Sequence, residues 1–554
     1  MRAFYSFLIT ITAFSVTAQV VEVASDFNYL VFNEYQKRKA QGELKIATDT
    51  LDLPFFDDFA YEGPYPDQNL WLDNNVFVNK TIGIDPPSVG MATFDGLNSG
   101  GAPYGGAKGR ADFLTSQFLD LSSFNPSDDL FLSFFIQAKG RGDSPGETDS
   151  LTVEFKNEME EWEEMASYRL SDASGGFVFR ALPILNDDFF HEGFQFRFVN
   201  IAGGGFKDLW HLDYVKLIPN GADVPFSSDI AFVNSPSNIL KNYTSMPWHH
   251  FIENIENEIN DEMHISLFNH FEETNSAEPS AFFLEEINTG ITVIDEPELL
   301  KLNSYVNQKD VPPNQVVEYT NPLPDFANAI NDPAFDTGDA LTFNFVYEFE
   351  QNEETALTAA NNVVNRRTVF DNYLAYDDGT GESNLAAKGA GTQLGVKFTT
   401  NVGDSLKSIQ VHIPHFNGNV ENQFFNLRVH LDDLDSEPIF DRDLLRPFYV
   451  NNVFDTLQGF TTYRLENFLG EETPVFIPEG DFFIVWQQVN DEFERAIPIG
   501  YDLNSSIGYE NLFQNIVGGW VPLDPSVPVE SLKLKPVIGI EPAINTEVVE
   551  VTDE

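Results

Sequence analysis

The chain has 554 residues, 87 of them acidic and 31 basic, for a net charge of −56. A field of that sign argues against nucleic acid and anionic lipid surfaces as partners, and for solubility, cation binding or a basic protein partner. It has no cysteine, which excludes disulfides, thiolate metal sites, a cysteine nucleophile and lipid attachment through a thioether.

With 52 Phe and 18 Tyr against 6 Met, the composition favours pleated, half-buried β-surfaces over helical bundles. The length suits roughly three to four domains. Residues 1–18 read as a signal peptide: Arg2 gives a basic start, FLITITAF an apolar core, and Val16-Thr17-Ala18 a small-residue cleavage site before Gln19. No later run reaches the ~18 apolar residues of a spanning helix, so no membrane insertion is expected. Residues 19–50 form an N-terminal arm, either an amphipathic helix or an extended segment, with Lys37-Arg38-Lys39 as its basic spot.

From 51 to 220, short β-like runs alternate with turns. In GFQFRFVN, Phe194, Phe196 and Phe198 fall on one face and Gln195 and Arg197 on the other, the period of a half-buried strand. In DLWHLDYVKLI, Leu209, His211, Asp213 and Val215 alternate with Trp210, Leu212, Tyr214 and Lys216. Residues 225–365 have the strand spacing of an Ig-like sandwich, with Leu341, Phe343, Phe345, Tyr347 and Phe349 lining one face of a core strand. Residues 366–540 read as a second jelly-roll-like sandwich, and 541–554 as an acidic tail. The expected fold is all-β and multi-domain, jelly-roll and Ig-like sandwiches in tandem.

No GxSxG, HExxH, Walker or dinucleotide-binding pattern is present, so no catalytic residue is assigned and an enzyme is not expected. His249-His250 follow Met246-Pro247-Trp248; read as a strand, they point to opposite faces and cannot share a metal. Calcium is the better use of so many carboxylates, since it takes six to eight oxygens. Asp377-Asp378-Gly379-Thr380-Gly381-Glu382 is the densest such loop, although it lacks the alternating acid spacing of an EF-hand. An exposed aromatic platform of Tyr65, Trp71 or Tyr104 would serve a partner.

The order of FFDDFAYEGPYPDQNLW, LTSQFLDLSSF, LFLSFFIQAKG, LTVEF and FRFVNIAGG with DLWHLDYVKL resembles the MAM-like or choice-of-anchor jelly rolls of secreted Bacteroidota proteins. That resemblance covers residues 51–220 and implies a structural Ca²⁺ near the first and last strands, drawing here on Asp57, Asp58 or Asp213. Proteins with such domains usually end in a sorting domain for type 9 secretion, whereas this sequence ends VEVTDE. In its signal peptide, all-β build, lack of cysteine and that ending, the whole chain resembles the plug proteins of type 9 translocons. The resemblance implies a periplasmic protein at the outer membrane, closing the SprA-like translocon barrel and meeting its associated subunits. The alternative is a secreted or surface binding module for glycan or protein.

Overall fold

A computed structural model describes residues 19–23, 27–42, 48–104, 108–202, 208–219, 225, 227–275, 278–295, 311–322, 330, 335, 340–350, 357–414, 420–449, 459–467, 469–490, 496–505, 507–516, 518–524 and 530–539. The signal peptide and the acidic tail lie outside these residues. The described chain is nearly all-β, folded as tandem β-sandwiches. No helix among the described residues is long and apolar enough to cross a membrane.

The first sandwich packs two antiparallel sheets. One runs in the order Trp162–Tyr168, Ser150–Lys156, Gln195–Ala202, Gly109–Thr115. The other runs Val178–Pro183, Phe131–Ala138, Trp210–Ile218, Met91–Phe94, Phe77–Asn79, with Phe55–Asp57 pairing the far half of Trp210–Ile218. Period-two burial puts Phe194, Phe196 and Phe198 in the core between them. The alternation expected through Trp210–Ile218 holds only to Asp213. The ladder shifts between Asp213 and Lys216, with Tyr214 at φ 53°. This bulge resets the pleat, so that Trp210 and Leu212 before it and Val215 and Leu217 after it all face the core.

The second sandwich sets Ile230–Phe232, Glu262–Asn269 and Val316–Pro322 against Ile291–Asp295, Glu278–Glu286, Leu341–Glu350 and Val363–Phe370. Its strand Val363–Phe370 runs across the 365/366 position. Leu341, Phe343, Phe345, Tyr347 and Phe349 are all buried, as a strand with one apolar face requires. The third sandwich has a six-stranded sheet centred on Gly480–Gln488 and Gln393–Thr400, and a four-stranded one built on Asp404–His412. One continuous apolar core joins the second and third sandwiches, with Tyr243 stacked on Tyr376 at 5.0 Å; the first keeps its own.

The N-terminal arm docks at both of its ends. Gln19–Val23 pairs antiparallel with Ser383–Lys388 and becomes the edge strand of a small sheet that also holds Pro498–Asp502 and Ser531–Leu532. Tyr29–Gln41 is a helix. The Asn28 side chain caps it by accepting from the Leu30 and Val31 amides at 3.1 and 3.2 Å, and Gly42 ends it in the left-handed region, φ 76°. That helix lies on the first sandwich: Val31 and Tyr65 share a small apolar cluster, and the Arg38 guanidinium sits 4.6 Å from the Tyr65 ring centroid.

Candidate functional site

The Asp213 bulge aims a carboxylate at the seam between the first two sandwiches. Asp213 accepts from the Ser88 amide at 2.9 Å and from the Ser88 hydroxyl at 2.9 Å. Asp58 stands across from it, accepting from the Ala60 amide at 3.1 Å and from the Asn361 amide at 3.0 Å. The same Asn361 nitrogen donates to Asp229 at 3.0 Å, and Asp229 accepts from the Tyr214 hydroxyl at 2.9 Å. Tyr214 also stacks on His270, with ring centroids 3.9 Å apart. Two residues of the second sandwich, Asp229 and Asn361, therefore complete what Asp58 and Asp213 begin.

These carboxylates are fully enclosed. Burial, then the nearby Asp57 charge, pushes Asp58 up to about 8. Burial, then Asp58, pushes Asp213 well above the ordinary carboxylate range. Burial also lifts Asp57 to about 7 against hydrogen bonds from Trp71, Phe59 and Tyr61. Lys216 is the nearest cation; burial lowers it to about 8 against the pull of Asp229.

All donors at this seam are hard oxygens, the chemistry calcium selects. Asn361 is fully buried and its Oδ1 has no partner. Three carboxylate oxygens do not converge within 4.8 Å here; the Asn361 amide stands between Asp58 and Asp229 instead. An amide flip would turn Oδ1 towards the two acids and supply a further ligand. The oxygen donors suit Ca²⁺ by type, and Asp58, Asp213, Asp229 and a flipped Asn361 are the residues that would hold it. Asp57 lies beside Asp58, its Oδ2 accepting the Trp71 indole N–H at 2.6 Å and the Tyr61 hydroxyl at 3.1 Å.

Asp377 and Asp378 lie elsewhere, in the third sandwich. Asp377 pairs with Lys535 at 3.3 Å, and Lys533 donates to the Gly379 carbonyl at 3.0 Å. Asp378 accepts from the Thr380 amide at 2.9 Å and from Asn504 at 3.1 Å. Burial pushes Asp378 up, but the Arg366 guanidinium and the Thr380 and Asn504 hydrogen bonds outweigh it and hold the carboxyl low. Asp502 is raised well above its ordinary value by burial, then by Asp378 and Glu382. Two lysines thus neutralise this cluster internally, and it offers a cation little. Its loop is turn chemistry.

The aromatic platform is corrected at Trp71 and Tyr65. Trp71 is wholly buried, edge-on to Phe55 at 5.2 Å and Phe196 at 5.7 Å, so it is a core anchor. Tyr65 is buried and donates to the Ser99 carbonyl at 2.7 Å; what it receives is this chain's own N-terminal helix. Tyr104 is half-buried, its hydroxyl raised by burial and then by Asp112.

A half-buried aromatic–cation arrangement that the sequence reading missed lies on the outer face of the four-stranded sheet, over the buried Glu154. Arg197 stacks 3.9 Å from the Trp162 centroid and binds Glu154 at 2.6 Å, and Arg110 forks onto the same carboxylate at 2.8 and 2.7 Å. Cross-strand pairing of Glu154 with Arg197 and with Glu164 places them together. The strand reading of His249-His250 is also corrected. They open the helix Trp248–Glu253, and both rings turn towards Asp404.

No family model matches this chain, and no curated protein matches it. Among solved structures, it is similar to the CBM22-1–GH10 modules of a Clostridium thermocellum xylanase complexed with xylohexaose. There the identity is 14% over 30% of this chain and 28% of that one, at a TM-score of 0.20. A CBM22 tandem domain of a Paenibacillus barcinonensis xylanase gives 8% identity over 82% of this chain and 97% of that one, at 0.20. A Bacteroides uniformis β-glucuronidase gives 11% over 51% and 29%, at 0.21. At such scores the likeness carries no argument about what this chain does.

Proposed function

We propose that the protein is a non-enzymatic plug that closes the outer-membrane barrel of a type 9 translocon from its periplasmic side. The observation that carries this reading is the N-terminal strap. A plug has to keep its shape while seated, and here one short arm joins the third sandwich, through Gln19–Val23, to the first, through Tyr29–Gln41. The second and third sandwiches meanwhile share one core. A plug also has to come off, which favours a polar, charge-complementary contact over a large apolar one, and a net charge of −56 supplies it. Calcium at the Asp58–Asp213 seam would stiffen the same body.

The test is affinity capture of the tagged full chain from detergent-solubilised outer membrane. The expected result is co-recovery of a large SprA-like β-barrel with its associated subunits, and deletion of the gene should leave the cell leaky to large antibiotics. Capture of no barrel together with unchanged permeability would sink the proposal.

A second reading, a secreted or surface module binding glycan or protein, is favoured by the Trp162–Arg197–Glu154 face. Under it, Trp162→Ala would abolish retention on a polysaccharide column that holds the parent chain. If the parent chain is not retained on any polysaccharide or cell-surface extract, that reading fails.

A further inference from the structure

Pro247 starts the helix Trp248–Glu253, and Trp248 anchors its first turn in the second sandwich, stacked on Phe343 at 5.7 Å and edge-on to Phe370 at 5.1 Å. With Trp248 fixed, the next two side chains face the third sandwich. There Asp404 opens the strand Asp404–His412. Its Oδ1 is held by the Ser405 amide at 2.6 Å, and its Oδ2 meets His249 Nε2 at 2.7 Å and His250 Nε2 at 3.3 Å. Consecutive residues in a strand would diverge, but at a helix start the two rings sit 4.5 Å apart between centroids. One ligand atom from each of the three residues lies within 4.8 Å of the other two, the one such group among the described residues.

These separations suit a metal. A tetrahedral ion bound at roughly 2.0–2.1 Å places its ligand atoms about 3.4 Å apart. Two imidazole nitrogens and one carboxylate oxygen are the donors of zinc-type divalent ions, whereas calcium takes oxygen. The His250 ring is fully enclosed and its Nδ1 has no partner, so nothing on the far side of the ring pins the tautomer. Nε2 is therefore free to present its lone pair, with the proton on Nδ1. The His249 side chain is 52% exposed, which leaves an approach for the ion and a fourth position for water. Gly539 borders the site: a Cβ there would lie 3.1 Å from Asp404 Oδ2 and 3.6 Å from His249 Cε1.

We propose that His249, His250 and Asp404 bind a zinc-type divalent transition-metal ion, with a fourth position open to solvent, and that the ion clamps the second sandwich to the third. Three ligands and an open position imply moderate affinity, below that of closed four-ligand structural sites.

The test uses the full chain after chelator treatment, titrated with Zn²⁺ by calorimetry and with Co²⁺ by visible absorption in a calcium-containing buffer. The expected result is one Zn²⁺ per chain and a Co²⁺ spectrum of tetrahedral intensity. His249→Ala and Asp404→Asn should each weaken binding at least tenfold. Because His249 is half-exposed, His249→Ala should keep its strand circular dichroism and its metal-free melting temperature, separating lost ligation from misfolding. Zn²⁺ should also raise the melting temperature of the parent chain and leave that of His249→Ala unchanged. Absence of stoichiometric binding, or binding that survives both substitutions, overturns the proposal.

Discussion

At the seam of the first sandwich, Asp58, Asp213 and Asp229 lie buried with Lys216 beside them; in the third, Asp377, Asp378, Glu382 and Asp502 lie buried around Lys533 and Lys535. The density of acid is alike, and the means of neutralising it differ. In the third sandwich two ammonium groups sit inside the cluster, while burial, then Asp378, keeps Glu382 raised, and Asp502 is raised likewise. At the seam, hydrogen bonds and retained protons do the same work, as the raised Asp58 and Asp213 indicate. A cluster that carries its own cations relies on protons only at the acids those cations leave over, here Glu382 and Asp502. One that relies on protons exchanges them with pH, or for a metal.

The most disruptive way to break the comparison is to remove a cation from the third sandwich. Lys535→Met removes the ammonium 3.3 Å from buried Asp377 and leaves it only Lys533, and should cost about 3 kcal/mol in urea unfolding; a loss under about 1 kcal/mol would mean that Lys535 is not the compensating charge. Next is pH at the seam. A carboxyl raised in the folded state stabilises fully below its unfolded value near 4 and loses that contribution as pH climbs through its folded value. Stability should therefore fall by about 2–4 kcal/mol between pH 4 and about 8. Asp58→Asn should flatten that fall, and an unchanged slope in the variant would remove Asp58 from the account.

Calcium sharpens the contrast further. Millimolar Ca²⁺ should stabilise the parent chain by about 2–3 kcal/mol if it exceeds the dissociation constant a hundredfold. The increment should vanish in Asp213→Asn and persist in Asp378→Asn, and the opposite pattern in calorimetry would move the ion to the third sandwich. The smallest effect is Thr380→Val, which removes the hydroxyl donated to Asp378 at 2.5 Å and should cost about 1 kcal/mol. Asp378 is held low, so that contribution is present above its unfolded value and is lost only as pH falls through its folded one.

How much of this was legible in the sequence follows from the range over which each interaction acts. Strands with one buried face announce themselves, because burial imposes period two; Phe194 to Phe198 and Leu341 to Phe349 read directly. Trp71 misled because its turn-rich neighbours suggested a surface, and the Asp57 carboxylate that accepts its indole N–H lies 14 residues away. The bulge at Tyr214 inverted half of a strand without any glycine to mark it. Asn361 reaches Asp58 across 303 residues, and His250 reaches Asp404 across 154, so no local pattern could have paired them. A signal did exist at Leu532-Lys533-Leu534-Lys535, since lysines alternating with leucines in a cation-poor chain suggest paired charge inside a sheet.

The strand Gln19–Val23 also sets an order of assembly. A chain is made from its N-terminus, yet these residues find their partners at Ser383–Lys388, and the sheet that receives them closes only with Ser531–Leu532. The first described strand, carrying Val20 and Val23, therefore has no partner until Ser383–Lys388 has been synthesised, and its sheet is complete only once Ser531–Leu532 follows. Closing so long a loop is entropically costly and slow. Completed molecules would then be distinguished from truncated ones by protease resistance at residues 19–23, which the third sandwich confers.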